Sequence, residues 1–134
     1  MKKSLLMVLI AMTFSLGAQA RRGFLLGAVS LTDRKDVDVI HLRSCRTRSN
    51  RRVSQIKLKV KNVPAEIDRL KIKFQNGGTQ EIYVRNHFRA QGESRWISLR
   101  GHKRCIKKIV VRGDADTWRR TGRRRQARVL FFGR

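Results

Sequence analysis

The stretch Gln55-Ile56-Lys57-Leu58-Lys59-Val60-Lys61 alternates apolar and cationic residues with a strict period of two. Only an extended strand sorts such residues onto opposite faces; a helix would smear them around its circumference. Arg69-Leu70-Lys71-Ile72-Lys73-Phe74 repeats the pattern. Both segments therefore predict half-buried strands, with the apolar residues on a core and the lysines in water. Residues 62–68, around Pro64, are expected to connect them, and Asn76-Gly77-Gly78 predicts a tight turn into a strand over 80–86. Further strands are expected over 24–31, 37–42, 96–99, 106–112 and 127–132, and no segment beyond residue 20 has the period of an amphipathic helix. Such a series of short strands predicts an all-β fold, a single antiparallel β-sandwich of jelly-roll type in preference to a closed barrel. The expected core is Ile56, Leu58, Val60, Leu70, Ile72, Phe74, Ile82, Val84, Trp96, Ile106, Ile109, Val129 and Phe131.

Residues 1–20 read as a targeting segment and stand outside the fold. Lys2 and Lys3 form a positive n-region, residues 5–16 an apolar h-region, and Ala18-Gln19-Ala20 an A-x-A cleavage site. The apolar run falls short of the ~20 residues that span a bilayer. Arg21 and Arg22, just after the cut, resist translocation and leave an uncleaved anchor open. The expected organisation is a signal peptide over 1–20 and one domain over 21–134, with a periplasmic or secreted location. Pro64 is the only proline, and no Gly/Ser-rich linker or internal repeat interrupts the chain. Cys45 and Cys105 are the only cysteines. An even count in an oxidising compartment points to one disulfide, the rival being two buried free thiols.

Charge decides which partners suit such a surface. Lys and Arg number 33 against 9 Asp and Glu, a formal charge of +24. The cations fall into three sets. Arg43, Arg46, Arg48, Arg51 and Arg52 lie beside Cys45; Lys57, Lys59, Lys61, Arg69, Lys71 and Lys73 lie on the two alternating strands; Arg119, Arg120, Arg123, Arg124, Arg125 and Arg128 surround Gly122. Lysines two apart on a strand repel by about 0.6 kcal/mol in unscreened water, a recurring cost that a bound anion relieves. Arginine forks grip phosphate in bidentate fashion and lysines act as point charges, so the 119–128 segment is the first candidate for phosphate contact. Lipopolysaccharide, acidic glycans and non-specific nucleic acid all qualify as partners. Nucleic-acid readers add exposed aromatics; the candidates are Tyr83, Phe88, Trp96 and Trp118. Of these, Tyr83 and Trp96 sit in strand patterns and are expected inside, while Trp118, beside Arg119 and Arg120, is placed to stack or to meet a membrane interface.

Enzymatic chemistry finds little support. Asp36 and Asp38 share a strand face that His41 does not, a poor geometry for one metal. Asp114 and Asp116 fall short of the six to eight oxygens a Ca²⁺ site takes, and are expected as local partners of Arg112 and Arg119. Ser94 and Ser98 lack a nucleophile-elbow context. Neither enzyme activity, a metal nor a cofactor is expected.

Trp96-Ile97-Ser98-Leu99, then Lys103-Arg104-Cys105-Ile106-Lys107-Lys108-Ile109 and Gly113, resembles the small exported YaaI-like proteins of bacteria, which carry a domain of unknown function. Leu25-Leu26-Gly27-Ala28 fits as well, as does Cys45-Arg46 ahead of the strand bearing Ile56 and Leu58. The resemblance runs in order through nearly all of residues 21–134. It implies a periplasmic setting, a compact β domain and paired cysteines, and it brings no catalytic residues. The chain departs from that pattern in its charge, which therefore reads as a property of this member. The expected function is a non-catalytic module binding anionic polymers or anionic envelope surfaces. The alternative is a structural or protein-interaction component of the envelope, its charge serving solubility or an acidic protein partner.

Overall fold

The computed structural model describes residues 23–32, 36–42, 45, 52–115 and 126–134. Eight strands run in the order β1 Phe24–Leu31, β2 Asp36–His41, β3 Gln55–Lys61, β4 Ala65–Phe74, β5 Thr79–Phe88, β6 Ile97–Ser98, β7 Ile106–Ala115 and β8 Ala127–Gly133. They form two antiparallel four-stranded sheets, β1-β8-β3-β6 (sheet I) and β2-β7-β4-β5 (sheet II). The first strand pairs with the eighth, the second with the seventh, the third with the sixth and the fourth with the fifth. That order is a long hairpin folded over itself, the jelly roll. Consecutive strands such as β3 and β4 therefore lie in different sheets.

Alternation explains the layering. Ile56, Leu58 and Val60 of β3, Leu70, Ile72 and Phe74 of β4, Ile109 and Val111 of β7, and Val129 and Phe131 of β8 are buried between the sheets. Ile82 and Val84 pack against this core half-buried. Trp96 is the exception to the expected core: it sits outside the sandwich, as described below. The interior strands, β8 and β3 of sheet I and β7 and β4 of sheet II, have paired neighbours on both sides.

Strand β4 starts at Ala65, earlier than the alternation implies. Two bulges conceal the start. Asp68 is an extra residue opposite β7, and on β5 the pair Val84 and Arg85 opposes Asp68 alone. Arg85 takes φ 42° there. Bulges shift the facing of side chains by one residue and so erase the period of two. Gly113 meets β4 at the same level; a Cβ on it would run into the Glu66 carbonyl oxygen, a backbone atom that cannot step aside. The β4–β5 turn is as expected: Gly77 has φ 91°, its N–H donates to the Phe74 carbonyl (3.1 Å), and the Gly78 N–H donates to Asn76 Oδ1 (3.0 Å).

Residues 104–106 tie the two sheets together. Arg104 exchanges backbone hydrogen bonds with Val53 (2.9 and 2.7 Å), just ahead of β3. Its guanidinium lies 3.8 Å from the Phe74 ring centroid and donates to the Arg100 carbonyl oxygen (2.7 Å). Next to it, Cys105 bonds Cys45, with Cα atoms 5.9 Å apart. The bridge continues the β2–β7 ladder beyond the Leu42 N–H, which donates to the Lys107 carbonyl. The double variant Cys45→Ser/Cys105→Ser releases a closure of 60 residues. It is expected to lose about 4 kcal/mol of unfolding free energy, read as a lower urea midpoint that reductant reproduces in the wild-type protein.

Candidate functional site

Lys57, Lys59 and Lys61 project from the outer face of sheet I, because Ile56, Leu58 and Val60 take the inner face. Their neighbours on β8 are Phe132, Leu130 and Arg128 respectively. The run Val129-Leu130-Phe131-Phe132 is thus apolar on both faces of β8. Val129 and Phe131 belong to the core, whereas Leu130 and Phe132 lie on the outside, where lysine stems on one side and Ala28 and Leu25 of β1 on the other flank them. Lys61 stands opposite Arg128, two like charges side by side at one end of the face. Arg134 extends the β8 alternation at the other end.

The segment between β5 and β6 completes the face. It runs along the edge of β3: the Val60 N–H donates to the Gly92 carbonyl (2.9 Å) and the Ser94 N–H to that of Leu58 (2.9 Å). Ser94 Oγ accepts from the Leu58 N–H (3.0 Å) and donates to the Arg95 carbonyl (2.8 Å), which gives this serine a structural role. Glu93 then meets Lys57 at 3.1 Å and Lys59 at 3.5 Å. The hydrogen bond from Lys57 holds the Glu93 carboxyl below its ordinary value; slight burial opposes this, and the charges of Lys57 and Lys59 reinforce it. Trp96, half-buried, carries Lys57 Nζ 5.0 Å and the Arg134 guanidinium 4.4 Å from its ring centroid. Arg134 Nε donates to Gln55 Oε1 at 2.6 Å, and Gln55 Nε2 to Ser98 Oγ at 3.3 Å. The indole expected in the core instead orients two cations on an outer surface. Irregular backbone over 93–96 hides this placement from any periodicity.

Lys71 and Lys73 occupy the opposite side of the molecule, on the outer face of sheet II. The expectation of one lysine set on two strands is corrected here, since the β3–β4 connection crosses between sheets. Around them acids and bases mix. Lys71 has Glu81 beside it on β5, and Arg69 and Arg112 are neighbours. Glu66, Asp68 and Asp114 line a small cleft of about 110 Å³ with Arg112. Tyr83, also expected inside, is exposed on this face and donates to Glu81 Oε2 (3.1 Å). Among the described residues no group of three or more His, Cys, Asp or Glu converges as a metal site.

Of the Arg-rich segment, Arg128 is described and exposed at the start of β8. Arg119, Arg120, Arg123, Arg124, Arg125 and Trp118 lie outside the described residues, as do Arg43, Arg46, Arg48, Arg51 and the targeting segment 1–20.

A family model described as a domain of unknown function (DUF2541) matches residues 5–133. The chain belongs to this family. No curated protein and no solved structure gives a significant match to it. The match covers both sheets, both cysteines and every strand.

Glu93→Gln removes the acid that pairs two lysines of this face. Because its folded pKa is depressed, the carboxylate stabilises the fold at neutral pH, and that stabilisation is lost as pH falls through the lowered value. The pair is largely solvated, so the variant is expected to lose less than about 1 kcal/mol at pH 7. Urea unfolding across pH should show the gap between wild type and variant closing in acid.

Proposed function

We propose that this chain is an exported, non-catalytic module that binds anionic polymers or anionic envelope surfaces through the outer face of sheet I. One observation carries the reading: the acids segregate. The outer face of sheet I holds Lys57, Lys59, Lys61, Arg128 and Arg134, with Glu93 the sole acid among the described residues there. The face of sheet II sets Arg69, Lys71, Lys73, Lys108 and Arg112 among Glu66, Asp68, Glu81 and Asp114. A uniformly solubilising charge has no reason to separate in this way. Lysines on one strand stand ~6.7 Å apart, within a Debye length of each other, so their potentials add over the face. Trp96 and Phe132 lie among the cations, giving the face apolar surface beside its charge.

Export is supported by the disulfide, which suits an oxidising compartment, and by a family match that begins at residue 5 and so takes in the apolar segment. Among the described residues no helix is long and apolar enough to cross a membrane. Placement among the YaaI-like proteins rests on the residues around Cys105 and belongs to this proposal. The protein-interaction reading has its own observation, the exposed Val37 and Val39 on edge strand β2.

Heparin-agarose and immobilised lipopolysaccharide test the assignment. The wild-type protein should be retained and eluted by salt. Lys57→Gln/Lys59→Gln/Lys61→Gln should elute at clearly lower salt than Lys71→Gln/Lys73→Gln. No retention of the wild type, or equal losses in the two variants, overturns the proposal.

A further inference from the structure

The two sheets do not close along their β5–β6 side. Strand β6 has two residues against ten in β5. A single buried polar residue joins the sheets there: the Arg100 N–H donates to Gln80 Oε1 (2.9 Å), and Gln80 Nε2 donates to the Ser98 carbonyl (3.4 Å). Beyond that link, where the Val84–Arg85 bulge bends β5, the edges part around a cleft of about 220 Å³. Ile82, Val84, Phe88 and Ile97 give it an apolar wall continuous with the core, Asn86, Glu93 and Ser94 a polar one, and Tyr83 and Arg95 stand at its exposed rim. An apolar cavity of ~150 Å³ already admits benzene, so this cleft has room for a ring or a short alkyl chain.

The charge at the mouth is one-sided. Glu93, which also lines the cleft, is engaged by Lys57 and Lys59, and Glu81 accepts the Tyr83 hydroxyl. Arg95 has no acidic partner among the described residues. The apolar wall below the exposed Arg95 guanidinium complements a molecule with a short alkyl tail and an anionic head.

We infer that this cleft binds the alkyl chain of an anionic amphiphile, with Arg95 taking its head group. The site is separate from the lysine face and shares only the 93–97 segment with it, so it stands whether or not that face binds polymers. Selectivity follows from the two halves. Each methylene that enters the cleft should strengthen binding about fourfold until the volume is filled, and a neutral head should forfeit the arginine contacts.

Calorimetry with octyl phosphate below its micelle concentration, octyl glucoside and inorganic phosphate tests this on the full chain. Octyl phosphate should bind at one site at least tenfold more tightly than either of the others. Arg95→Gln, at an exposed position, should bring octyl phosphate down to the level of octyl glucoside. Val84→Phe, which fills the cleft, should abolish its binding and leave heparin retention unchanged. Methyl NMR on the wild-type protein covers the case in which Val84→Phe does not fold: the Ile82 and Ile97 resonances should move with octyl phosphate and stay still with inorganic phosphate. Octyl phosphate binding no tighter than inorganic phosphate, or unmoved Ile82 and Ile97 methyls, overturns the inference. A wild-type protein that binds octyl phosphate but is not retained on heparin overturns the lysine-face reading alone.

Discussion

Placing a lysine ammonium between the two sheets would cost several kcal/mol in lost hydration. That cost governs the register of β3 and β4. A slip of one residue on β3 would drive Lys57, Lys59 and Lys61 inward and expose Ile56, Leu58 and Val60. The same alternation that builds the core therefore produces a ladder of outward charge. Fold and surface potential are two consequences of one pattern.

The ladder stays in place because other groups moderate its repulsion. Glu93 neutralises part of it, and Trp96 takes Lys57 and Arg134 against its ring. Both come from the segment that covers the edge of β3, where β6 itself is too short to do so. One irregular stretch thus caps a sheet edge, tempers a charged face and walls a lateral cleft. Its backbone is held by hydrogen bonds to Leu58 and Val60, so its side chains are positioned as firmly as those on a strand.

A second set of contacts holds the sheets together. Arg104 pairs with Val53, lies over Phe74 and meets the Arg100 carbonyl, while Cys105 holds the end of the β2 arm. Arg104 is spent on structure, although sequence alone would count it with the surface cations. Gln80 does a comparable job at the open side. Net charge overstates the cation supply of a binding surface wherever guanidinium groups are used in this way.

The sequence by itself determined the all-β class, most strand positions and the outward facing of the lysines on β3 and β4, because a period of two leaves a strand no other arrangement; between a disulfide and two free thiols only the structure decided. Bulges at Asp68 and Val84–Arg85 hid the start of β4, since one inserted residue cancels the period. Trp96, Phe132 and Arg134 were illegible as site residues: the first lies on irregular backbone, and the others end a strand that is apolar on both faces. Tertiary structure alone decided that β3 and β4 lie in different sheets, that the acids gather on one of them, and that a two-residue β6 leaves a cleft. These are consequences of strand order, which depends on how the hairpin wraps over its core and not on any local run of residues.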